Sequence, residues 1–144
     1  MKKTVLLTLI IVFVISGCTK NNRSPIIGAW KNVYGISITK DTTIKLPPFK
    51  DHYIKMIGDK HFTTIWQDTS LNKEDYWRSG FNGGTYTFVN GIYTENLSYF
   101  SSTGSIGKQF SFRTEFKDDT LILTFIPEDP NNTDRYIEKM VRLE

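Results

Sequence analysis

Cysteine is almost absent from this chain. Cys18 stands alone among 144 residues, which excludes an intrachain disulfide and a multi-cysteine metal site. Histidine is nearly as scarce. His52 and His61 have Asp51 and Asp59 nearby, but their spacing matches no zinc motif, and no metal is expected. Runs of like charge are missing too. Lysine and arginine lead aspartate and glutamate by 18 to 15 and lie scattered among them, so there is no basic patch of the kind a nucleic-acid partner needs. No window carries a helical period. No Gly-x-Ser-x-Gly surrounds Ser102, Ser105 or Ser111. Asp118-Asp119 reads as a turn rather than half of a catalytic carboxylate pair. With no converging constellation, the expectation is a protein that is not an enzyme and needs no cofactor.

What is present begins at the N-terminus. Lys2-Lys3 precede an apolar run from Val5 to Ile15, broken only by Thr8, which is a signal-peptide profile. The run is about a dozen residues long, well short of the roughly 20 that cross a hydrocarbon core as a helix. It ends in Ile15-Ser16-Gly17-Cys18, which looks like a lipobox. Ser16 and Gly17 supply the small residues before the cut, and Cys18 supplies the sulfur to be acylated. Residues 1–17 are therefore expected to be removed and Cys18 to be tethered to a membrane. Acyl chains worth about 0.8 kcal/mol per buried methylene make such a tether effectively permanent.

Without residues 1–17 the basic excess falls to 16 against 15, because Lys2 and Lys3 leave and no acidic residue does. Residues 18–25 read as a lipidated polar tether, and 26–144 as one domain. Within it, runs rich in Val, Ile, Thr, Tyr, Phe and Trp recur between Gly, Asn and Asp. The expected strands are Gly28–Thr39, His52–Gly58, His61–Gln67, Gly84–Val89, Ile92–Tyr99, Lys108–Phe116, Thr120–Ile126 and Arg135–Leu143. Asn90-Gly91 suits a tight hairpin. Eight antiparallel strands in sequence predict an all-β, up-and-down barrel. Two long connections interrupt the meander, Lys40–Asp51 with Pro47-Pro48 and Asp68–Gly83 with Tyr76, Trp77 and Phe81. Both are candidate lids, with surface decoration as the plainer alternative.

Gly28-Ala29-Trp30 opening the first strand and Arg142 near the end of the last resemble the lipocalin pattern, in which an early tryptophan closes one barrel end beneath a late arginine. Further likeness lies in the Gly83–Phe88 run, Tyr93-Thr94-Glu95-Asn96, Asp119-Thr120-Leu121-Ile122 and the Glu138–Leu143 run. Together these resemble the small lipocalin-like lipoproteins of Bacteroidetes-type bacteria over most of residues 26–144. The resemblance implies a calycin-type eight-stranded barrel, with Trp30 and Arg142 as its structural closure. It implies no ligand. The chain stops directly after the last expected strand, leaving no room for the C-terminal helix of larger lipocalins, and it lacks the helix pair that caps intracellular fatty-acid-binding barrels. Thr19 replaces the aspartate associated with inner-membrane retention, and no acidic cluster follows Cys18. The expected location is the cell envelope, on the periplasmic face of the outer membrane.

An eight-stranded barrel either fills with side chains or encloses one small molecule. Phe110, Phe112 and Phe116 alternate with Gln109, Ser111, Arg113 and Glu115, so the phenylalanine face is expected inside. Tyr86 with Phe88 and Phe62 with Trp66 alternate in the same way. Tyr93, Glu95, Leu97 and Tyr99 share a face. Turned inward, Glu95 needs a partner, either Arg113, Arg142 or the polar head of a ligand. Turned outward, it takes the usual place of a carboxylate. The candidate ligand-binding interior thus comprises Phe62, Trp66, Tyr86, Phe88, Tyr93, Glu95, Phe110, Phe112 and Arg113. Two function classes follow. Either the barrel binds a small apolar or amphipathic molecule, or it is packed solid and acts as an accessory lipoprotein through contacts with another envelope protein.

Overall fold

The computed structural model describes residues 23–46, 52–67, 79–101, 103–129 and 131–143. Cys18 with the lipobox-like residues before it, Pro47-Pro48, and Tyr76 with Trp77 lie outside the described residues. Among the described residues, β-branched and aromatic residues in period-two alternation give nine strands: β1 (Gly28–Ile38), β2 (Thr43–Leu46), β3 (His52–Ile57), β4 (His61–Gln67), β5 (Gly80–Val89), β6 (Ile92–Phe100), β7 (Gln109–Lys117), β8 (Thr120–Ile126) and β9 (Arg135–Arg142). Every pairing is antiparallel. β1 also pairs with β9 from Trp30↔Arg142 to Ile38↔Arg135, which closes eight strands into a barrel and leaves neither β1 nor β9 as a free edge. Among the described residues no helix is long and apolar enough to cross a membrane.

β2 was not expected, since it falls inside the predicted Lys40–Asp51 connection. It pairs with Gly35–Ile38 of β1, whereas β3 pairs with Gly28–Lys31. The two strands thus share one edge of β1, and β2 takes it up where β3 has left it. β5 also begins earlier than its alternation alone indicated, because Gly80–Gly83 pair with β4. Phe81 is therefore an outward, half-exposed strand residue rather than a loop residue.

The two ends of the barrel differ. One carries the tight turns: Gly58–Lys60, where Gly58 N donates to His61 O; Asn90-Gly91, with φ of 51° and 75°; and Lys117–Asp119. Trp30 plugs this end at 1 % exposure. Its Nε1 donates to Ile26 O at 2.8 Å, and the Arg142 guanidinium lies 4.1 Å above its ring. Arg142 also donates to Ile27 O at 2.9 Å and Pro25 O at 2.7 Å. Gly28, at φ 150°, lets the guanidinium pass, since a Cβ there would collide with Nη1. The longer connections, including 101–108 with its 3-10 turn at Thr103–Ser105 and 127–134, leave from the opposite end.

Trp30→Ala removes the plug without offering anything to collapse into its place. It is expected to cost about 3–5 kcal/mol in denaturant unfolding. A loss under about 1 kcal/mol would show that the floor is closed by other side chains.

Candidate functional site

Alternation within closed antiparallel ladders decides which side chains face inward. In β3 the inward set is Tyr53, Lys55 and Ile57; in β6 it is Tyr93, Glu95 and Leu97; in β9 it is Tyr136, Glu138 and Met140. Three charged residues from three separate strands therefore meet inside the barrel. Lys55, Glu95 and Glu138 are 3 %, 4 % and 2 % exposed. Lys55 Nζ donates to Glu95 Oε1 at 2.7 Å and lies 3.9 Å from Glu138 Oε2. The hydroxyls of Tyr53 and Tyr136 both donate to Glu138 Oε1, at 2.7 and 2.8 Å. Glu138 Oε2 accepts no hydrogen bond from any of the described residues.

The Lys55 ammonium also sits 5.6 Å from the ring centres of Tyr93 and Phe112 and 5.9 Å from that of Phe62, a distance at which the ring faces attract a cation. Burial on its own draws Lys55 toward its neutral form. The carboxylates of Glu95 and Glu138 and the hydrogen bond to Glu95 more than reverse this, and its pKa is held above the usual lysine value. The tyrosines are pushed the same way. Burial, then the Glu138 carboxylate, raises Tyr53 and Tyr136 well above the ordinary phenol, and burial with Glu95 raises Tyr93.

Beside this cluster the barrel is not full. A cavity of about 350 Å³ opens toward the end with the longer connections. Its base is Lys55, Glu95 and Glu138. Leu97, Phe100, Phe110, Phe112 and Phe125 form apolar walls, and Tyr53, Tyr136, Asn82 and Ser105 add polar atoms. Its size falls in the lower part of the roughly 300–1,000 Å³ typical of small-molecule sites. The other half of the barrel is packed. Tyr93 contacts Phe62 edge-on with ring centres 6.2 Å apart, and Phe116 bridges Phe88 and Trp30 at 6.4 Å each.

The residues singled out from sequence divide accordingly. Glu95, Phe110 and Phe112 line the cavity. Phe62 and Tyr93 form the cage beneath Lys55. Tyr86 packs on Tyr93 and sends its hydroxyl to Gly58 O, and Phe88 lies in the packed half. Trp66 stacks on Tyr53 and contacts Phe100 near the rim. Arg113 is a correction. The alternation that turns Phe112 inward turns Arg113 out, where it is exposed and borders an exterior hollow beneath the 127–134 connection. Glu95 faces inward, but its partner is Lys55 rather than Arg113 or Arg142. Tyr99 is a second correction. An extra residue at Ser98, opposite Gly83/Gly84, breaks the register. Tyr99 is therefore 65 % exposed, and Phe100 takes the inward place.

Lys55, Glu138, Tyr53 and Tyr136 were missed at the sequence level. The signal available was a charged residue at the middle of a strand with apolar neighbours at i−2 or i+2, as in Tyr53-x-Lys55-x-Ile57 and Tyr136-x-Glu138-x-Met140. His52 and His61 stand at opposite ends of the β3–β4 hairpin, since His52 pairs with Gln67, which separates them by roughly 20 Å of strand. Among the described residues no group of three or more His, Cys, Asp or Glu converges as metal ligands do.

No family model matches this chain, and no curated protein matches it in sequence. Among solved structures, the chain is similar to the crystal structure of an uncharacterized protein from Bacteroides eggerthii DSM 20697. The identity is 13 %, over 78 % of this chain and 97 % of that chain, with a TM-score of 0.47.

Two outcomes follow from the buried cluster. Lys55→Met leaves two carboxylates without their cation and is expected to cost about 3–5 kcal/mol. Adding Glu95→Gln and Glu138→Gln should recover most of that loss, and failure to recover it would place the cost in packing instead. The second outcome concerns alkaline pH. The unfolded chain releases tyrosine and lysine protons from about pH 10, whereas the barrel holds those of Lys55, Tyr53, Tyr93 and Tyr136 to higher pH. Their contribution is whole below pH 10 and is lost above it, by up to about 1.4 kcal/mol per pH unit for each group. Phenolate absorbance from these three tyrosines should appear only together with unfolding. Titration of all seven tyrosines near pH 10 in a still-folded chain would contradict this.

Proposed function

We propose that this protein is a lipocalin-like envelope lipoprotein whose barrel binds one small amphipathic molecule. The observation that carries the reading is the cavity of about 350 Å³, apolar along its walls and charged at its base. A packed barrel has no use for such a space, and an apolar wall around a few convergent polar groups is the usual form of a small-molecule site. The ligand's apolar body would lie against Leu97, Phe110, Phe112 and Phe125, with its polar head at Glu95, Lys55 and Glu138. We read the role as binding rather than catalysis, because Lys55 and the tyrosine hydroxyls are already engaged with the two carboxylates and their protons are held tightly. Envelope location and anchoring rest on the lipobox-like Ile15–Cys18. The Trp30–Arg142 stack supports the lipocalin-like reading.

One experiment addresses both parts: native and denaturing mass spectrometry of the full chain, recovered from the membrane fraction of a Gram-negative host. The expected denatured mass is that of a chain starting at an acylated Cys18, and the native mass should exceed it by a noncovalent ligand. Leu97→Trp, which fills the cavity, should abolish the extra mass while leaving the acylated mass unchanged. An unacylated chain retaining residues 1–17 would overturn the anchoring. A bare native mass, with no uptake of hydrophobic probes, would overturn the binding reading in favour of an accessory role through protein contacts.

A further inference from the structure

The charge at the base of the cavity is unbalanced. Among the described residues, the charged ones lining it are Lys55, Glu95 and Glu138, so two carboxylates face one ammonium and their formal sum is minus one. Lys55 is committed to Glu95 at 2.7 Å and to the faces of three aromatic rings. Glu138 is differently placed. Its Oε1 accepts from two phenols, but its Oε2, on a residue 2 % exposed, accepts from no donor among the described residues, and the Lys55 ammonium is 3.9 Å away. A second lining residue, Asn82, also has a buried acceptor, its Oδ1, without a donor among the described residues. A buried carboxylate left short of a donor is costly.

Both unfilled positions are acceptors in a pocket with excess negative charge, and they call for a group that only donates and carries positive charge. A protonated amine meets both demands, with up to three donors and no acceptor. A carboxylate or phosphate head would place like charge against Glu138. A hydroxyl head would satisfy hydrogen bonding but leave the charge. The aromatic walls of Phe100, Phe110 and Phe125 suit an amine as well, since ring faces attract cations and the ring bodies accept an alkyl or aryl stem. We propose that the cavity selects a cationic amphiphile, a protonated amine on an apolar body, with the amine at Glu138 Oε2 and Asn82 Oδ1. This rests on the reading of the cavity as a small-molecule site.

The test is calorimetric titration of the full chain with three probes of equal chain length, decylamine, decanol and decanoate, each kept below its micelle concentration near neutral pH. Decylamine should bind about ten- to a hundredfold more tightly than decanol, the range of a hydrogen bond to a charged group, and decanoate most weakly. Glu138→Gln should remove the preference, so that decylamine binds the variant no more tightly than decanol binds the same variant. Leu97→Trp should abolish both, which separates the cavity from adsorption on the outer surface. Decanol or decanoate binding as tightly as decylamine would overturn the amine preference while leaving the pocket intact. No binding of any probe would overturn the pocket itself. The ranking on the unaltered chain decides the matter even if Glu138→Gln fails to fold.

Discussion

The Lys55 ammonium sits inside the barrel with two carboxylates on one side and three aromatic rings on the other, and much of the interior is arranged around this buried charge. Its partners come from β6 and β9, strands far from β3 in sequence, so the ion pair forms only when the barrel is closed. Taking such charges out of water costs several kcal/mol per ion, and the cost is offset by hydrogen bonds from Lys55, Tyr53 and Tyr136 together with the ring faces beneath. The cluster also divides the interior. Below it, Phe62, Tyr93, Phe88, Phe116 and Trp30 pack ring on ring. Above it, the walls are apolar but the middle is open. Well-packed apolar residues at such a level are often as stabilising as buried charges or more so, so packing alone does not account for the three charges there.

The same contrast runs from end to end. Tight turns and the Trp30 plug close one rim, and the longer connections among the described residues leave from the other. β1 reconciles the two, because its first half pairs with β3 and its second half with β2 while β9 runs along the whole of its opposite edge. The barrel can therefore open its mouth on the β2–β3 side without exposing an unpaired edge of β1. Trp66 lies near that rim, in ring contact with Tyr53 and with Phe100.

Most of the fold was legible in the sequence because period-two alternation is strong where one face is crowded with rings. In β7, Phe110, Phe112 and Phe116 leave no choice of phase, and the Asn90-Gly91 hairpin fixes the register of its neighbours. β3 and β9 are less decisive. Ile54 and Met56 compete with Tyr53 and Ile57, and Ile137 and Val141 compete with Tyr136 and Met140, so apolarity alone does not reveal that Lys55 and Glu138 turn inward. Only closure with the adjacent strands does. Tyr99 misled for a related reason, since nothing at Ser98 marks a bulge and the alternation from Tyr93 runs on past it. Arg113 was included as a partner for Glu95, although its own strand pattern already faced it outward. β2 is four residues between polar Asp41 and Pro47, too short to stand out from a loop until β1 offers it an edge.

Three consecutive carbonyls ahead of β1, those of Pro25, Ile26 and Ile27, are held by Arg142, Trp30 and Arg142 in turn. Arg142 belongs to the last strand, so the two ends of the domain are clasped to each other. A mechanical load applied through the residues before Arg23 would thus reach β9 before it reached the interior. It would pull β1 lengthwise against its partners, straining the hydrogen bonds of the β1–β9 ladder in shear rather than peeling them apart singly. The mouth of the cavity lies at the opposite rim, away from this clasp, and would not be deformed by the pull.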